Sequence, residues 1–369
     1  MTLETAVVGG GVVSDYHLSG LEQCPETNLV AICDLDESRA REKATEYDIN
    51  AYADFEGMLA RESLDWIHLC TPVGTHLELA RMAIEDGIPV LIEKPVTESV
   101  EEAQELERLA EEHDATVSVV HNHNFSPAMR KARTYIENGT IGELRSVDLL
   151  YAGETFPDDV RRGAWAFELP GGEFEEGLPH PIYMVLNLGG YPSSPESIQA
   201  SSSLKHDYKQ EFDYDSVQFH YTTDDGVLCS GTVVASDVPH KTIQIHGDRG
   251  SLEIDVVSQS VTVLDRDYQA SPKNRAMANV DHILGRIRGT AENLVAVARR
   301  SIDEDWESVR NLDSHSYQFS EEVEAIQRGD SMPVPVTEGT WTLRIMEAIR
   351  ETADDADEEQ TVPLSTDGT

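Results

Sequence analysis

Five short apolar runs, separated by segments of helical spacing, fill the first 120 residues and leave few folds open to this chain. The runs are Thr5–Val8, Leu29–Cys33, Trp66–Leu69, Val90–Ile92 and Val117–Val120. Between them lie Val12–Gln23, Glu37–Tyr47, His76–Glu85 and Val100–Glu112. Runs this short and continuous suit strands covered on both faces, and strand–helix–strand at this pitch builds a parallel sheet with helices on either side. The first run feeds Gly9-Gly10-Gly11-Val12-Val13-Ser14, a G-x-G-x-x-S turn that opens a helix. In such a turn Gly9 makes the tight bend and Gly11 lets the backbone approach a pyrophosphate. Val12 and Val13 begin the helix whose N–H groups and positive end receive the phosphates. Asp34 closes the second run, 25 residues after Gly9. A carboxylate there accepts hydrogen bonds from both adenosine ribose hydroxyls and repels a 2′-phosphate, which favours NAD over NADP. Arg39 close by softens that discrimination and keeps NADP possible.

Beyond Phe125 the pattern changes. A helix over Pro127–Glu137 and a strand over Leu144–Tyr151 lead into a stretch rich in glycine, proline and acid that ends near Leu178. From Ser197 to Leu264 several strands follow, alternating most clearly in Val217–Tyr221 and Thr242–Ile245. Asp224-Asp225-Gly226 and Gly247-Asp248-Arg249-Gly250 supply hairpin turns between them. Residues 289–328 and 337–351 return to helical spacing, and the acidic Asp354–Thr369 reads as a frayed tail. A chain of 369 residues is long enough for two domains at roughly 150 residues each. The expected division is a dinucleotide-binding domain over 1–121, an α/β domain over 122–353 and the tail from 354.

Charge narrows the partners. With 28 basic and 69 acidic residues the formal net charge is −41, a field that repels nucleic acid and anionic membrane surfaces. Acid is spread along the whole chain, and only seven of the basic residues are lysines. That pattern suits very high salt, where the Debye length shrinks to ~3 Å at 1 M. Stability should rise with salt. The opening MTLETAVVGGG lacks the basic segment of a signal peptide, and no apolar run approaches the ~18 residues of a membrane span. Cys24, Cys33, Cys70 and Cys229 form no paired framework, and Cys33 and Cys70 lie in apolar runs as buried thiols. These features point to a soluble, cytoplasmic protein.

Two further motifs end strands at the edge where a dinucleotide would lie. One is Cys70-Thr71-Pro72, with His76 on the following helix; the other is Glu93-Lys94-Pro95. A lysine partly desolvated beside a cofactor can handle a substrate proton, although the residues alone also allow a strand-end lysine paired with Glu93. Taken together, the motifs resemble the Gfo/Idh/MocA family of NAD(P)-dependent sugar and polyol oxidoreductases, over essentially the whole chain. The resemblance runs from the glycine turn through His17, and on through Cys70-Thr71-Pro72 with His76 and through Glu93-Lys94-Pro95. It continues in His121-Asn122-His123-Asn124-Phe125-Ser126-Pro127, in Ile136-Glu137-Asn138-Gly139-Thr140-Ile141-Gly142, in Glu321–Gly329 and in Pro333–Thr337.

The resemblance implies a Rossmann domain followed by an α/β domain with an open, mostly antiparallel sheet. It also implies a cis bond between Lys94 and Pro95, and a homo-oligomer, dimer or tetramer, joined through that second sheet. A carbohydrate or polyol would be the substrate, with Asn122 at the nicotinamide or substrate. The family carries an aspartate and a histidine four residues apart after a glycine pair. Here Gly171-Gly172 precede Glu176 and His180. His180 would be the acid/base, Glu176 its orienter, and Lys94 the proton relay and clamp on the alkoxide. This chain departs from the pattern in three ways. Glu176 replaces the aspartate, and Tyr183 stands where an acid usually follows the histidine. Pro179 and Pro181 flank His180, and within a helix at least one of them would disturb the first turns. The same family resemblance also covers an NAD-dependent glycosidase and a catalytically silent dinucleotide-binding regulator. His121-x-His123 shows no third ligand at metal spacing, so no metal is expected. Arg161 and Arg162 read as solvated loop residues.

Overall fold

The structure is a computed structural model that describes residues 2–153, 155–161, 164–264, 272–302 and 305–360. Strands β1 (Leu3–Val8), β2 (Thr27–Cys33), β3 (Asn50–Tyr52), β4 (Trp66–Leu69), β5 (Val90–Ile92) and β6 (Val117–Val119) form one sheet in the order β3-β2-β1-β4-β5-β6. Every pair in it is parallel. Five of the six coincide with the apolar runs. The exception is β3, an edge strand paired only with β2, whose Asn50 and Ala51 are exposed and carry no apolar signal. Helices α1 (Ser14–Gln23), α2 (Glu37–Tyr47), α3 (Phe55–Leu59), α4 (His76–Glu85) and α5 (Val100–His113) make the crossovers. Three of them start on side-chain caps: Asp36 accepts from Ser38 N and Arg39 N, Asp54 from Gly57 N, and Ser99 from Glu102 N. The strand order reverses between β1 and β4, so the crevice beyond their carboxyl ends is where an open sheet of this kind receives ligands.

Chain contacts divide the molecule into two compact units, Met1–Arg130 with Ala291–Thr340, and Lys131–Thr290 with Trp341–Thr369. Helix α6 (Pro127–Glu137) carries the chain from the first unit to the second. The second unit holds β7 (Leu144–Gly153), α7 (Gly172–Glu176), α8 (Pro179–Gly189), β8 (Gln199–Ser203), β9 (Ser216–Thr222), β10 (Leu228–Ala235), β11 (His240–Gly247), β12 (Ser251–Asp255) and β13 (Ser260–Leu264). Its sheet runs β13-β12-β11-β7-β10-β9-β8, with β7 and β10 parallel and every other pair antiparallel. Residues alternate buried and open along β9, β10 and β12, so the sheet has one covered face. Helix α8 lies on that face, nearly all of its residues buried. A Cβ at Gly189 would stand 2.4 Å from Cys229 Sγ and 3.3 Å from Val147, so glycine is what lets the end of α8 approach the sheet.

Helix α9 (Pro272–Ile302) begins ahead of residue 289, where the helical spacing was expected to return, while residues 265–271 lie outside the described part. Helices α10 (Trp306–Leu312) and α11 (Ser314–Arg328) pack with the parallel sheet. The reason is at β6. Gln318 Nε2 donates to Val119 O at 2.8 Å, Gln318 Oε1 accepts from His121 N at 3.1 Å, and Val119 N donates to Val334 O at 3.1 Å. The outer edge of β6 is thus completed by chain some 200 residues downstream, which returns to the first unit rather than staying beyond a single boundary near residue 121. Helix α12 (Val336–Gln360) runs past Asp354, the expected start of the tail; residues 361–369 lie outside the described part. Glu, Ala and Gln there favour helix despite the charge. All four cysteines are buried and free. Among the described residues no helix is long and apolar enough to cross a membrane.

Candidate active site

In the first unit the expected cofactor residues gather at the carboxyl ends of β1, β2 and β4. Gly9 has φ of 96°, and a Cβ on it would stand 2.6 Å from Cys70 O, so only glycine fits this bend. Cys70 N donates to Val8 O at 2.7 Å, which fixes the approach of the two turns. Asp34 is buried at the end of β2. Its Oδ2 accepts from Gly10 N at 2.7 Å and its Oδ1 from Asp36 N at 2.7 Å, so the carboxylate anchors the glycine turn itself. Arg39 lies against it, Nη1 to Oδ2 at 3.1 Å. Gly11 and Val12 are exposed, a Cβ at Gly11 would meet nothing within 4 Å, and Val13, just ahead of α1, supplies no side-chain cap. A helix N-terminus without a side-chain cap, an open glycine and a fixed carboxylate at the next strand end suit a dinucleotide: pyrophosphate at α1, ribose toward Asp34.

The ends of β4 and β5 are tied together by His76. Its Nε2 lies 2.9 Å from Thr71 O and its Nδ1 3.0 Å from Pro95 O, so the ring bridges the turns after the two strands; burial lowers its pKa. Pro72 starts a short 3-10 turn, inside which Thr75 Oγ1 donates to Thr71 Oγ1 at 2.8 Å. The Lys94–Pro95 bond is cis, as the resemblance implies. Lys94 is 9% exposed and its backbone N donates to Glu93 Oε2 at 3.0 Å. Glu93 Oε1 in turn accepts from His17 Nε2 at 2.9 Å. Burial pushes the Glu93 carboxyl up, but the His17 hydrogen bond and charge more than offset this and hold it at about 2.

Behind Glu93 lies a cluster that was not expected. His17 Nδ1 and His68 Nδ1 are 2.8 Å apart, so one must donate and the other accept. His68 Nε2 is buried without a hydrogen-bond partner, and burial drives His68 well below its ordinary pKa, with His17 adding to the shift. His315 of α11 sits 6.0 Å from the His17 ring, lowered to about 4 by burial although Glu93 pulls the other way. Their separation in sequence hides this cluster. The one signal was His68 itself, a polar residue in the middle of the Trp66–Leu69 run. Asn122 is buried at the start of a 3-10 turn, with its Nδ2 donating to Ser314 Oγ at 3.2 Å. His121 Nδ1 lies 2.8 Å from Glu338 Oε1. Among the described residues no three His, Cys, Asp or Glu side chains gather as a metal-holding group.

In the second unit, Glu176 ends α7 and His180 is the second residue of α8. Gly177 and Leu178 between them stay right-handed helical, at φ/ψ of −80°/−17° and −61°/−32°. The turn is tightened by Leu178 N donating to Glu175 O at 3.0 Å and His180 N to Gly177 O at 3.3 Å. The two prolines do not disturb the helix, contrary to expectation. Pro179 and Pro181 are the first and third residues of α8, where an N–H has no intrahelical acceptor to lose. Tyr183 Oη lies 2.8 Å from His180 Nδ1, and Tyr183 is fully buried while His180 is half-buried. Glu175 has no exposure, accepting from Gly171 N at 2.8 Å, Tyr214 Oη at 2.7 Å and Arg350 Nε at 2.7 Å. Neither Tyr214 nor Arg350 carried any sequence signal. Arg161 is exposed beside Asp159, and the side chain of Arg162 lies outside the described part.

Two family models match the chain: an oxidoreductase family with an NAD-binding Rossmann fold over residues 3–121, and the GFO/IDH/MocA C-terminal domain over residues 129–253. The scyllo-inositol 2-dehydrogenase (NADP(+)) IolW of Bacillus subtilis is 24% identical over 360 residues, 95% of this chain and 94% of IolW. The uncharacterized oxidoreductase YrbE of the same organism is 30% identical over 139 residues, 37% of this chain, and that match spans only 41% of YrbE. Among solved structures, a levoglucosan dehydrogenase in complex with NADH and levoglucosan has a TM-score of 0.74 at 19% identity, covering 96% of this chain and 98% of the other. At that identity the likeness is one of fold.

Proposed function

The chain belongs to the GFO/IDH/MocA oxidoreductase family, and from that premise we propose that it moves hydride between a hydroxyl-bearing carbon of a sugar, polyol or sugar derivative and the nicotinamide of NAD. The cofactor is NAD. When bound, it supplies the nicotinamide carbon that accepts or returns the hydride. Everything else falls to the chain. Asp34 takes the ribose hydroxyls and sets NAD ahead of NADP, with Arg39 leaving NADP a weaker option. That option has support in IolW, whose name specifies NADP. Lys94, desolvated at the end of β5, holds its ammonium against the substrate oxygen as negative charge grows there. His180 takes the hydroxyl proton on oxidation and returns it on reduction, with Glu176 supporting the charged ring. Asn122 contacts nicotinamide or substrate. The outer face of the second sheet, where Leu150 and Leu228 are exposed, is the surface for a second copy of the chain.

The observation that carries this reading is the pairing of a glycine cradle anchored by Asp34 with a desolvated lysine on the same sheet edge. The name of the full-length match, a scyllo-inositol 2-dehydrogenase, supports a sugar or polyol as the substrate class. The test is a panel of sugars and polyols with NAD in molar KCl, following NADH. Lys94→Ala and His180→Ala should each lower turnover by roughly 10²–10⁴ while leaving NAD affinity near that of the unaltered protein. Undiminished turnover in both would refute the assignment.

A further inference from the structure

We infer that α9 is a docking element for a second copy of the chain, its exposed apolar stripe seating on the outer face of the partner's second sheet; this rests on the reading above that the outer face receives a second copy. The part of α9 concerned, residues 272–290, belongs to the second unit together with that sheet. Strand β13 shows where the helix lies. In an antiparallel pair, directly opposite residues point to the same face. Val261 and Val263 pair with Ile254 and Leu252, which are fully buried on the covered face. Ser260 and Thr262 pair with Asp255 and Glu253 and so point to the outer face, yet they are only 7% and 5% exposed. Helix α9 covers them. A Cβ at Gly285 would stand 2.6 Å from Thr262 Oγ1, and one at Gly289 2.6 Å from Ser260 Cβ, so glycine at both positions lets the helix lie directly on β13.

The opposite side of the helix is apolar and open. Met277, Val280, Ile283, Leu284 and Ile287 are exposed, by 37% to 59%. Their spacing of three and four makes one stripe, and at about 100° per residue it points away from Gly285 and Gly289, off its own sheet. Arg286 and Arg288, both exposed, flank it on either side. Residues 272–290 hold Lys273, Arg275, Arg286 and Arg288 against Asp281 alone, a positive segment in a chain of net charge −41. The outer sheet face offers the complement. Asp148, Glu253 and Asp255 lie on it, each hydrogen-bonded by neutral donors: the Ser146 and Ser230 hydroxyls, the Gln244 amide and Ser258 N. Leu150 and Leu228 stand exposed on the same face. Strand β10 is four strands from β13, about 19 Å away, so a helix about 10 Å across on β13 leaves Leu228 open to a partner.

Size decides the occupant. A stripe about 28 Å long and 10 Å wide offers roughly 300 Å², short of the ~800 Å² that each partner of a stable pair buries. The helix alone is too small, but a copy that meets both α9 and the sheet beside it has the area. Two-fold symmetry makes the contact reciprocal, each α9 on the other's sheet, and closes the assembly at two. An anionic membrane also suits a basic amphipathic helix, but the acidic field of the whole chain opposes it.

The test is sedimentation equilibrium in molar KCl of the unaltered protein, of Ile283→Glu/Ile287→Glu and of Leu150→Glu/Leu228→Glu. The unaltered protein should sediment as a dimer. Each double variant should raise the dimer dissociation constant at least about a hundredfold, since two apolar side chains lose their burial. Far-UV circular dichroism should stay that of the unaltered protein, because all four positions are exposed. A dimer that the sheet variant dissociates and the α9 variant leaves intact overturns the inference while the reading of the sheet stands. A dimer that the sheet variant leaves intact removes that reading and the inference with it. An unaltered protein that is a monomer, and that co-sediments with vesicles of anionic phospholipid through the stripe, also overturns the inference.

Discussion

At the carboxyl end of the parallel sheet the polar groups are held mainly by backbone close to them in sequence or on adjoining strands. Asp34 is satisfied by Gly10 N and Asp36 N, Glu93 by Lys94 N and His17, and His76 by carbonyls of Thr71 and Pro95. In α7, just ahead of α8, side-chain supports come from far away in the chain. Glu175 depends on Tyr214 and on Arg350, which stands 175 residues downstream. The first arrangement fails locally when one turn is altered. The second fails when a distant partner is removed, because a carboxylate with no exposure is then left uncompensated.

Arg350→Ala should therefore be the most damaging single change outside the reacting groups, at about 3–5 kcal/mol for breaking a buried pair from one side. Hydrogen exchange should show lost protection across residues 171–189 with β1, β4 and β5 still protected. Equal loss in both units would break the contrast. Gly9→Ala tests the opposite region. A side chain at φ of 96° and 2.6 Å from a carbonyl oxygen should cost about 1–3 kcal/mol and abolish tight NAD binding, read by titration calorimetry. NAD affinity equal to the unaltered protein would show that the turn adapts.

Most of the first region was legible from the sequence, for a physical reason. Parallel strands covered on both faces must be continuous apolar runs, and a phosphate turn needs glycines at fixed offsets, so both leave local marks. β3 left none, because an exposed edge strand has no apolar requirement. The return of α10 and α11 to the first unit was hidden too, since Gln318 and Glu322 are polar residues on a helix and only their partners on β6 reveal their use. In the second region the Glu176–His180 spacing was visible, but Tyr183 registered merely as a missing acid. Its oxygen lies 2.8 Å from His180 Nδ1, a contact that spacing alone cannot supply.

Glu322 sharpens the contrast within the first unit, where it is the reverse of Glu93. Burial raises its carboxyl from an ordinary 4.5 to about 8, despite hydrogen bonds from Ser118 and Gln318. Ser118 has one proton facing both Glu322 Oε1 at 2.7 Å and Val334 O at 2.8 Å, and a protonated Glu322 donating to Ser118 satisfies all three. The folded state then holds a proton that the unfolded state has lost between pH 4.5 and 8. This stabilisation is complete below pH 4.5 and declines by about 1.4 kcal/mol per pH unit as pH rises through that window. Glu322→Gln should flatten the dependence and raise the unfolding midpoint above pH 8; an unchanged pH profile would show that Glu322 is ionised in the fold.

A smaller effect is expected from Asp34→Ser. Because the carboxylate also anchors Gly10, the change should weaken NAD several-fold and shift preference toward NADP, with Arg39 freed from its partner. If titration of the unaltered protein shows NADP binding more tightly than NAD, Arg39 dominates the ribose site and Asp34 serves the turn alone.

Deuterium transfer tests the oxidoreductase reading most directly. The protein is incubated in molar KCl with NAD and a panel of carbon-deuterated sugars and polyols, and the dihydronicotinamide is analysed by mass spectrometry. Hydride transfer from a substrate carbon places one deuterium in the reduced cofactor, and His180→Ala should suppress that signal. A panel that includes inositols, anhydrosugars and nucleotide sugars yet leaves the cofactor undeuterated and unreduced, with NAD demonstrably bound, would contradict the proposed reaction.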